Sequence, residues 1–234
     1  MGKGVPSLRA CRSLLSPLSS LLSRQMNLPT ALTVSRIATM PLIAALPFVP
    51  SATARHWAFI LFLVAVNTDW VDGWLARTRK QETDFGRMLD PLADKLLLVG
   101  TFVPMYWLGR TMPFNTPVGT YGLPLWVVAL VLGREVTMTW FRQYAARRNV
   151  IIASIWPAKW KTGVTGFWQG AAYCWFWVAT MAAESAWAPA DFRLTRLTIG
   201  TVGLLAMTLA VVLTLYSAII YLRQYHKVLG TTAA

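Results

Sequence analysis

Six long apolar runs dominate the chain, near residues 31–50, 56–76, 92–109, 123–144, 162–183 and 197–221. Each is close to the roughly 20 residues an α-helix needs to cross the hydrocarbon core of a bilayer. No succession of segments of about 10 residues alternates apolar and polar positions as transmembrane β-strands do. The pattern therefore predicts an all-α integral membrane protein with six transmembrane helices. Pro41 and Pro47 fall inside the first run, where a neighbouring helix can satisfy the carbonyls they free. Two punctuated stretches, RTMPFNTPVGTYG at 110–122 and residues 184–196, read as outer loops. Residues 1–25, MGKGVPSLRACRSLLSPLSSLLSRQ, hold four cations and no acid, with leucines spaced along one helical face. They predict an N-terminal amphipathic helix on the membrane surface, with an organellar transit peptide as the alternative. The expected organisation is this basic extension over 1–25, followed by one six-helix domain over 26–234.

Composition agrees: of 234 residues, 56% are hydrophobic and only 13% charged, and the mean hydropathy is +0.48. The net charge of +13 does not imply nucleic acid, because Lys and Arg collect on the cytoplasmic side of membrane proteins. With both termini inside and Arg36 and Arg134 within spans, only Arg55, Arg110, Arg193 and Arg196 fall outside. The charge thus serves topology first and attraction to anionic membrane lipids second. Cys11 and Cys174 lie on segments that this topology separates, which argues against a disulfide.

Acids are scarce, yet five aspartates crowd into DWVDGWLARTRKQETDFGRMLDPLAD, residues 69–94, between two apolar runs, and four of them, Asp69, Asp72, Asp90 and Asp94, fall at helical spacing. Carboxylates near a bilayer are costly unless paired or bound to metal. On a helix, Asp69 and Asp72 share a face with Gly73 and Ala76, while Gly86, Asp90 and Asp94 step by four along the next helix. Four carboxylates with no His or Cys nearby suit a pair of hard divalent ions, Mg²⁺, Mn²⁺ or Ca²⁺, able to clamp a pyrophosphate. Gly73, Ala76 and Gly86 leave walls without bulk where a nucleotide could approach the backbone, and Arg77 supplies a cation for a phosphate. The alternative is that these acids only pair with Arg77, Arg79, Lys80 and Arg87 at a wet helix end. That reading leaves the two glycines and the alanine on the acidic faces without a reason.

This stretch resembles the signature D-x2-D-G-x2-A-R-x8-G-x3-D-x3-D of the CDP-alcohol phosphotransferases, matched at Asp69, Asp72, Gly73, Ala76, Arg77, Gly86, Asp90 and Asp94 without a departure. The resemblance implies six transmembrane helices, commonly a homodimer, and transfer of a phosphatidyl or similar group from a CDP-linked donor to an alcohol with release of CMP. It implies that Asp69, Asp72 and Asp90 hold metal, two Mg²⁺ or Mn²⁺ ions per site, and that Asp94 both touches metal and acts as general base.

The acceptor is addressed by a second stretch. REVTMTWFRQYAARRNVIIASIWPAKWKT, residues 134–162, gathers Arg134, Arg142, Lys159 and Lys161 around the cytoplasmic ends of the fourth and fifth spans. A phosphate-bearing acceptor calls for such cations, whereas inositol, serine or choline does not; Arg147 and Arg148 read as ordinary positive-inside charge. The stretch resembles the phosphatidylglycerophosphate synthase branch, whose pattern runs R-E-x3-S-x2-R and then K-x-K-T, with Thr139 standing where that pattern has Ser. NLPTALTVSRI, residues 27–37, is similar to the same branch's N-P-N-x-L-T-x-x-R opening, with Leu28 and Thr30 departing from it; its threonine, Thr33, joins the nucleotide-binding set. The resemblance implies CDP-diacylglycerol as donor and sn-glycerol 3-phosphate as acceptor. The alternatives within the family use inositol phosphate or, as a cardiolipin synthase, phosphatidylglycerol. Outside it stand an Asp-rich prenyltransferase, which needs a second acidic motif that the later acids Glu135, Glu184 and Asp191 do not form, and a carboxylate-lined ion transporter. The expected location is a multi-pass position in a bacterial plasma membrane, or an organelle's inner membrane, with the active site facing the cytoplasm.

Overall fold

The computed structural model describes residues 28–79, 84–147, 156–185 and 189–230. Residues 1–25, and with them the expected surface helix, lie outside the described residues. Six α-helices carry the described chain. α1 spans Leu28–Ala45 and is followed by a 3-10 turn, Leu46–Phe48; α2 spans Ala52–Arg79, α3 Asp84–Thr111, α4 Leu125–Arg147, α5 Trp156–Glu184 and α6 Pro189–Gly230. Two apolar windows within them, Ala31–Phe48 and Phe192–Tyr221, are long and apolar enough to cross a membrane. α2 and α3 have 28 residues each, about 42 Å at 1.5 Å per residue, but their acidic and basic ends dilute the apolar run.

Two expectations are corrected. The stretch 110–122 is not an irregular loop: it contains an antiparallel hairpin of β1, Phe114–Thr116, and β2, Gly119–Tyr121, in the register Phe114↔Tyr121 and Thr116↔Gly119. Gly119 has φ 137°, a backbone conformation that disfavours other residues. The second outer loop is shorter than 184–196, because α6 begins at Pro189 and takes Arg193 and Arg196 into its first turns. Charged residues interrupt a hydropathy run without ending a helix, and Pro is well suited to a helix's first turn.

The described residues fall into two compact units. One comprises the described residues up to Met40 and those between Val64 and Leu97, the other the described residues between Pro41 and Leu63 and those from Leu98 onward. The larger unit has an aromatic middle, with Phe62, Phe102, Trp168, Tyr173 and Phe176 each exposed by 2% or less. Phe62 stacks on Tyr173 with centroids 5.3 Å apart, the Tyr173 hydroxyl donates to the Ile43 carbonyl, and Gln169 Nε2 donates to Thr101 Oγ1 at 2.6 Å. These buried hydroxyl and amide groups thus find partners across helices, as an apolar surround demands.

One end of this unit is fastened by Arg55, whose Nε donates to the Pro47 carbonyl at 2.9 Å and whose Nη1 donates to Thr180 Oγ1. The Pro47 carbonyl is therefore satisfied by an arginine of α2. Glu184 of α5 accepts from the Ala52 amide at the start of α2, covering one of the donors that every helix start leaves open. The hairpin packs here too: Phe114 lies against Tyr121, Trp175 and Phe176, and Tyr121 Oη donates to the Gly200 carbonyl at 3.0 Å. A Cβ on Gly200 would overlap the Asn115 carbonyl oxygen and lie 2.7 Å from its carbon. Gly200→Ala should accordingly cost ~1–3 kcal/mol by forcing backbone apart. Gly133→Ala, with nothing within 4 Å of the new Cβ, should be neutral or stabilising. Thermal unfolding of the two variants in detergent checks this.

Candidate functional site

The acidic residues lie toward the C-terminal end of α2 and the N-terminal end of α3, which residues 80–83 separate in sequence. Asp72 lies seven residues before the end of α2 and Asp90 six after the start of α3, about 10 Å and 9 Å from the connection at 1.5 Å per residue. Asp69 and Asp72 stand at i and i+3 on one face of α2, and Asp90 and Asp94 at i and i+4 on one face of α3. The side chains of Asp69, Asp72, Gly73, Ala76, Arg77, Gly86 and Asp90 lie outside the described residues.

Asp94 is described, and its carboxylate is 63% exposed. Its Oδ1 is 3.9 Å from Arg36 Nη1 of α1, an arginine whose side chain is 1% exposed. Thr33, one turn before Arg36 on the same face of α1, is buried as well. Arg36 is a functional candidate that hydropathy set aside as a residue within a span. The signal was present: an arginine inside an apolar helix is expensive and points to a partner. The donor set is all oxygen, accessible at Asp94, and spaced on one face of each helix, which fits a hard divalent cation such as Mg²⁺ or Mn²⁺.

Arg134 and Lys161 of the second stretch come together in the larger unit, between the middle of α4, the N-terminal part of α5 and the C-terminal part of α6. Glu135 Oε1 accepts from Arg134 Nη1 at 2.8 Å and from Lys161 Nζ. Arg134 Nη2 donates to Ser217 Oγ at 3.1 Å, and its guanidinium lies 5.8 Å from the centroid of the Tyr221 ring. Both cations are buried, Lys161 with a side chain 4% exposed and Arg134 with one 9% exposed. Lys161 heads the buried stripe Lys161, Thr165, Trp168, Ala172 of α5, and Arg134 falls between buried Val131 and Met138 on α4; each is a charge on a core face. Burial, and secondarily the charge of Arg134, pulls the Lys161 ammonium down to about 7. Thr139 donates its hydroxyl proton to the Glu135 carbonyl one turn back. The side chains of Arg142 and Lys159 lie outside the described residues. Glu135 is the member of this group that the sequence reading missed.

Residues 26–224 match the model of the CDP-alcohol phosphatidyltransferase family. The chain belongs to that family. It is similar to a protein of Arabidopsis thaliana named CDP-diacylglycerol–glycerol-3-phosphate 3-phosphatidyltransferase 2, with 31% identity over 227 residues, covering 92% of this chain and 87% of the relative. A relative of the same enzyme name from Sodalis glossinidius is 30% identical over 208 residues, 85% of this chain and 94% of its own. A cardiolipin synthase (CMP-forming) of Oryza sativa is 29% identical over 207 residues, 87% of this chain and 59% of that protein.

The Glu135 carboxylate is the counter-charge that two buried cations share, so Glu135→Gln should destabilise the fold by up to the ~3–5 kcal/mol of a broken buried ion pair. The loss should depend on pH. Lys161 titrates lower in the folded chain than its unfolded 10.5, so the unfolded state binds the extra proton between about 7 and 10.5 and stability rises with pH across that window. The gap between variant and wild type is therefore widest below pH 7 and narrows by pH 9, where Lys161 is neutral; unfolding midpoints at pH 6 and pH 9 test it.

Proposed function

We infer that this chain is a multi-pass membrane enzyme that transfers the phosphatidyl group of CDP-diacylglycerol to sn-glycerol 3-phosphate, giving phosphatidylglycerophosphate and CMP. Family membership supports the donor chemistry, and the names of the relatives from Arabidopsis and Sodalis support this donor and acceptor. The observation that carries the acceptor is the buried group of Arg134, Glu135 and Lys161, in which two cations face one carboxylate. Its two basic side chains suit a phosphate, and Ser217 helps hold the Arg134 fork in place. Arg142, Lys159 and Thr139 complete the acceptor set on this reading.

The donor nucleotide lies along Asp69, Asp72, Gly73, Ala76, Arg77 and Gly86, with Thr33 at its edge. Asp69, Asp72, Asp90 and Asp94 would hold two divalent ions, Mg²⁺ or Mn²⁺. When bound, such ions neutralise the pyrophosphate and the charge that develops on displacement at phosphorus. The acceptor's hydroxyl oxygen attacks the β-phosphorus of CDP-diacylglycerol, the bond to the CMP oxygen breaks with its electron pair, and the hydroxyl proton passes to Asp94. The 63% exposed Asp94 carboxylate is accessible to such a proton, and Arg36 at 3.9 Å orients it. His56 stands near the start of α2, 13 residues before Asp69, at the outer end of the second span.

A six-span position in the membrane is supported by the surface of the larger unit. Exposed tryptophans sit near both ends of its helices, Trp57, Trp107 and Trp126 at one and Trp140 and Trp160 at the other, as an aromatic belt at two interfaces requires. Between them Val103, Leu205, Val212 and Ile219 are exposed apolar side chains, a surface suited to lipid rather than water. With both termini inside, the catalytic face is cytoplasmic, and a homodimer in a bacterial plasma membrane or an organelle's inner membrane completes the reading.

The deciding assay offers CDP-diacylglycerol with glycerol 3-phosphate, inositol phosphate or phosphatidylglycerol and measures CMP release. Release with glycerol 3-phosphate well above the others is expected; preference for phosphatidylglycerol would favour the cardiolipin synthase reading that the rice relative raises. In the same assay Asp94→Asn should retain CDP-diacylglycerol binding but lose about 10²- to 10⁴-fold in turnover. A variant within about threefold of wild type would remove Asp94 as the base.

A further inference from the structure

A cavity of about 820 Å³ opens between β1, the last turns of α5 and the first turns of α6. It is separate from the acceptor group. Lys161 and Ala182 both lie on α5, 21 residues apart, which is about 32 Å along the helix at 1.5 Å per residue. The floor is made by small residues of α5, Ala179, Ala182 and Ala183, and by Thr116 of β1. The other wall is Arg193 and Arg196, neighbours at i and i+3 on α6, flanked by Phe192 and Leu197. Phe192 is fixed by stacking on Trp175, centroids 6.1 Å apart and planes within 10°.

Three features identify the occupant. First, the volume is that of a site for a molecule of lipid-headgroup size or larger, within the roughly 300–1,000 Å³ of ligand pockets; a free phosphate ion would leave most of it empty. Second, the two exposed guanidiniums give the mouth positive charge, while alanine, leucine and phenylalanine give the interior an apolar surface. That combination matches a phosphate joined to a hydrocarbon chain. Third, Phe192 begins the most apolar membrane-length window, Phe192–Tyr221 with mean hydropathy 2.2, so the arginines stand at headgroup depth. On the six-span topology proposed above, this end of the bundle is the outer one, where the topological preference for cations does not apply. The other two outer arginines are used otherwise: Arg55 is bonded within the bundle and Arg110 lies over the Tyr106 ring.

We propose that the cavity bounded by Thr116, Ala182, Ala183, Arg193 and Arg196 is a second, non-catalytic site for an anionic phospholipid of the outer leaflet, its phosphate on the two arginines and an acyl chain along the alanine face of α5. The test uses the full chain, delipidated and returned to mixed micelles containing phosphatidylglycerol or phosphatidylcholine, with retained lipid counted by native mass spectrometry. Wild type should hold phosphatidylglycerol in preference to phosphatidylcholine. R193E/R196E should reduce its retention at least tenfold, with CMP release within about twofold of wild type and an unchanged unfolding midpoint. Ala183→Trp, which fills the cavity and leaves both arginines in place, should reduce retention similarly. Undiminished retention in both variants would overturn the site, as would equal retention of phosphatidylcholine. Displacement of the lipid by millimolar inorganic phosphate would overturn it in favour of a simple anion site. Because CMP release is read separately, failure here leaves the transferase reading untouched, and failure of that reading leaves lipid retention to be judged alone.

Discussion

A carboxylate held between two buried cations, Glu135 between Arg134 and Lys161, governs how the ends of α4, α5 and α6 can pack. Two positive charges on core faces of neighbouring helices would repel each other and lose their water at the same time. With Glu135 between them the arrangement is tolerable, and with Ser217 and the Tyr221 ring beside Arg134 it becomes specific. The same logic recurs at the other end of the unit, where Arg55 is buried against Pro47 and Thr180 and where Glu184 caps α2. Between these two polar locks the helices meet through aromatic and small residues, an arrangement that suits a bundle whose outer face is itself apolar. In such a surround, hydrophobicity cannot tell inside from outside, and the polar contacts set which faces meet.

The helices were legible because a membrane-length apolar run has few alternatives. Their ends were less so. Arg193 and Arg196 ended the hydropathy run near 197 but belong to α6, since backbone hydrogen bonding continues past the point where side chains become polar. The hairpin at 114–121 escaped notice because its strands have three residues each, too few for a period-two pattern to register. What fixes it is tertiary, the packing of Phe114 against Trp175 and Phe176 and the close approach to Gly200.

The site divides in the same way. The four candidate aspartates stand out in the sequence because their spacings of three and four are helical and because acids are rare in this chain. Arg36 and Glu135 were not, since their significance lies in contacts across 58 and 26 residues of sequence, Arg36 to Asp94 and Glu135 to Lys161. Both could have been flagged by cost alone. An arginine in an apolar helix, or a glutamate beside an arginine on one, is kept only where something pairs with it.

That cost also bears on why an acceptor-phosphate group would be built from buried cations at all. A lysine exposed to water is an inexpensive phosphate ligand but a weak one, because screening and side-chain entropy remove most of its advantage. Burial removes the screening and fixes the geometry, yet by itself drives the ammonium toward its neutral form, as the lowered position of Lys161 shows. Sharing one carboxylate between Lys161 and Arg134 offsets only part of that cost. On the proposed reading, the negative charge of an acceptor phosphate beside Lys161 would favour its ammonium form, so that the cation is completed by the ligand it would bind.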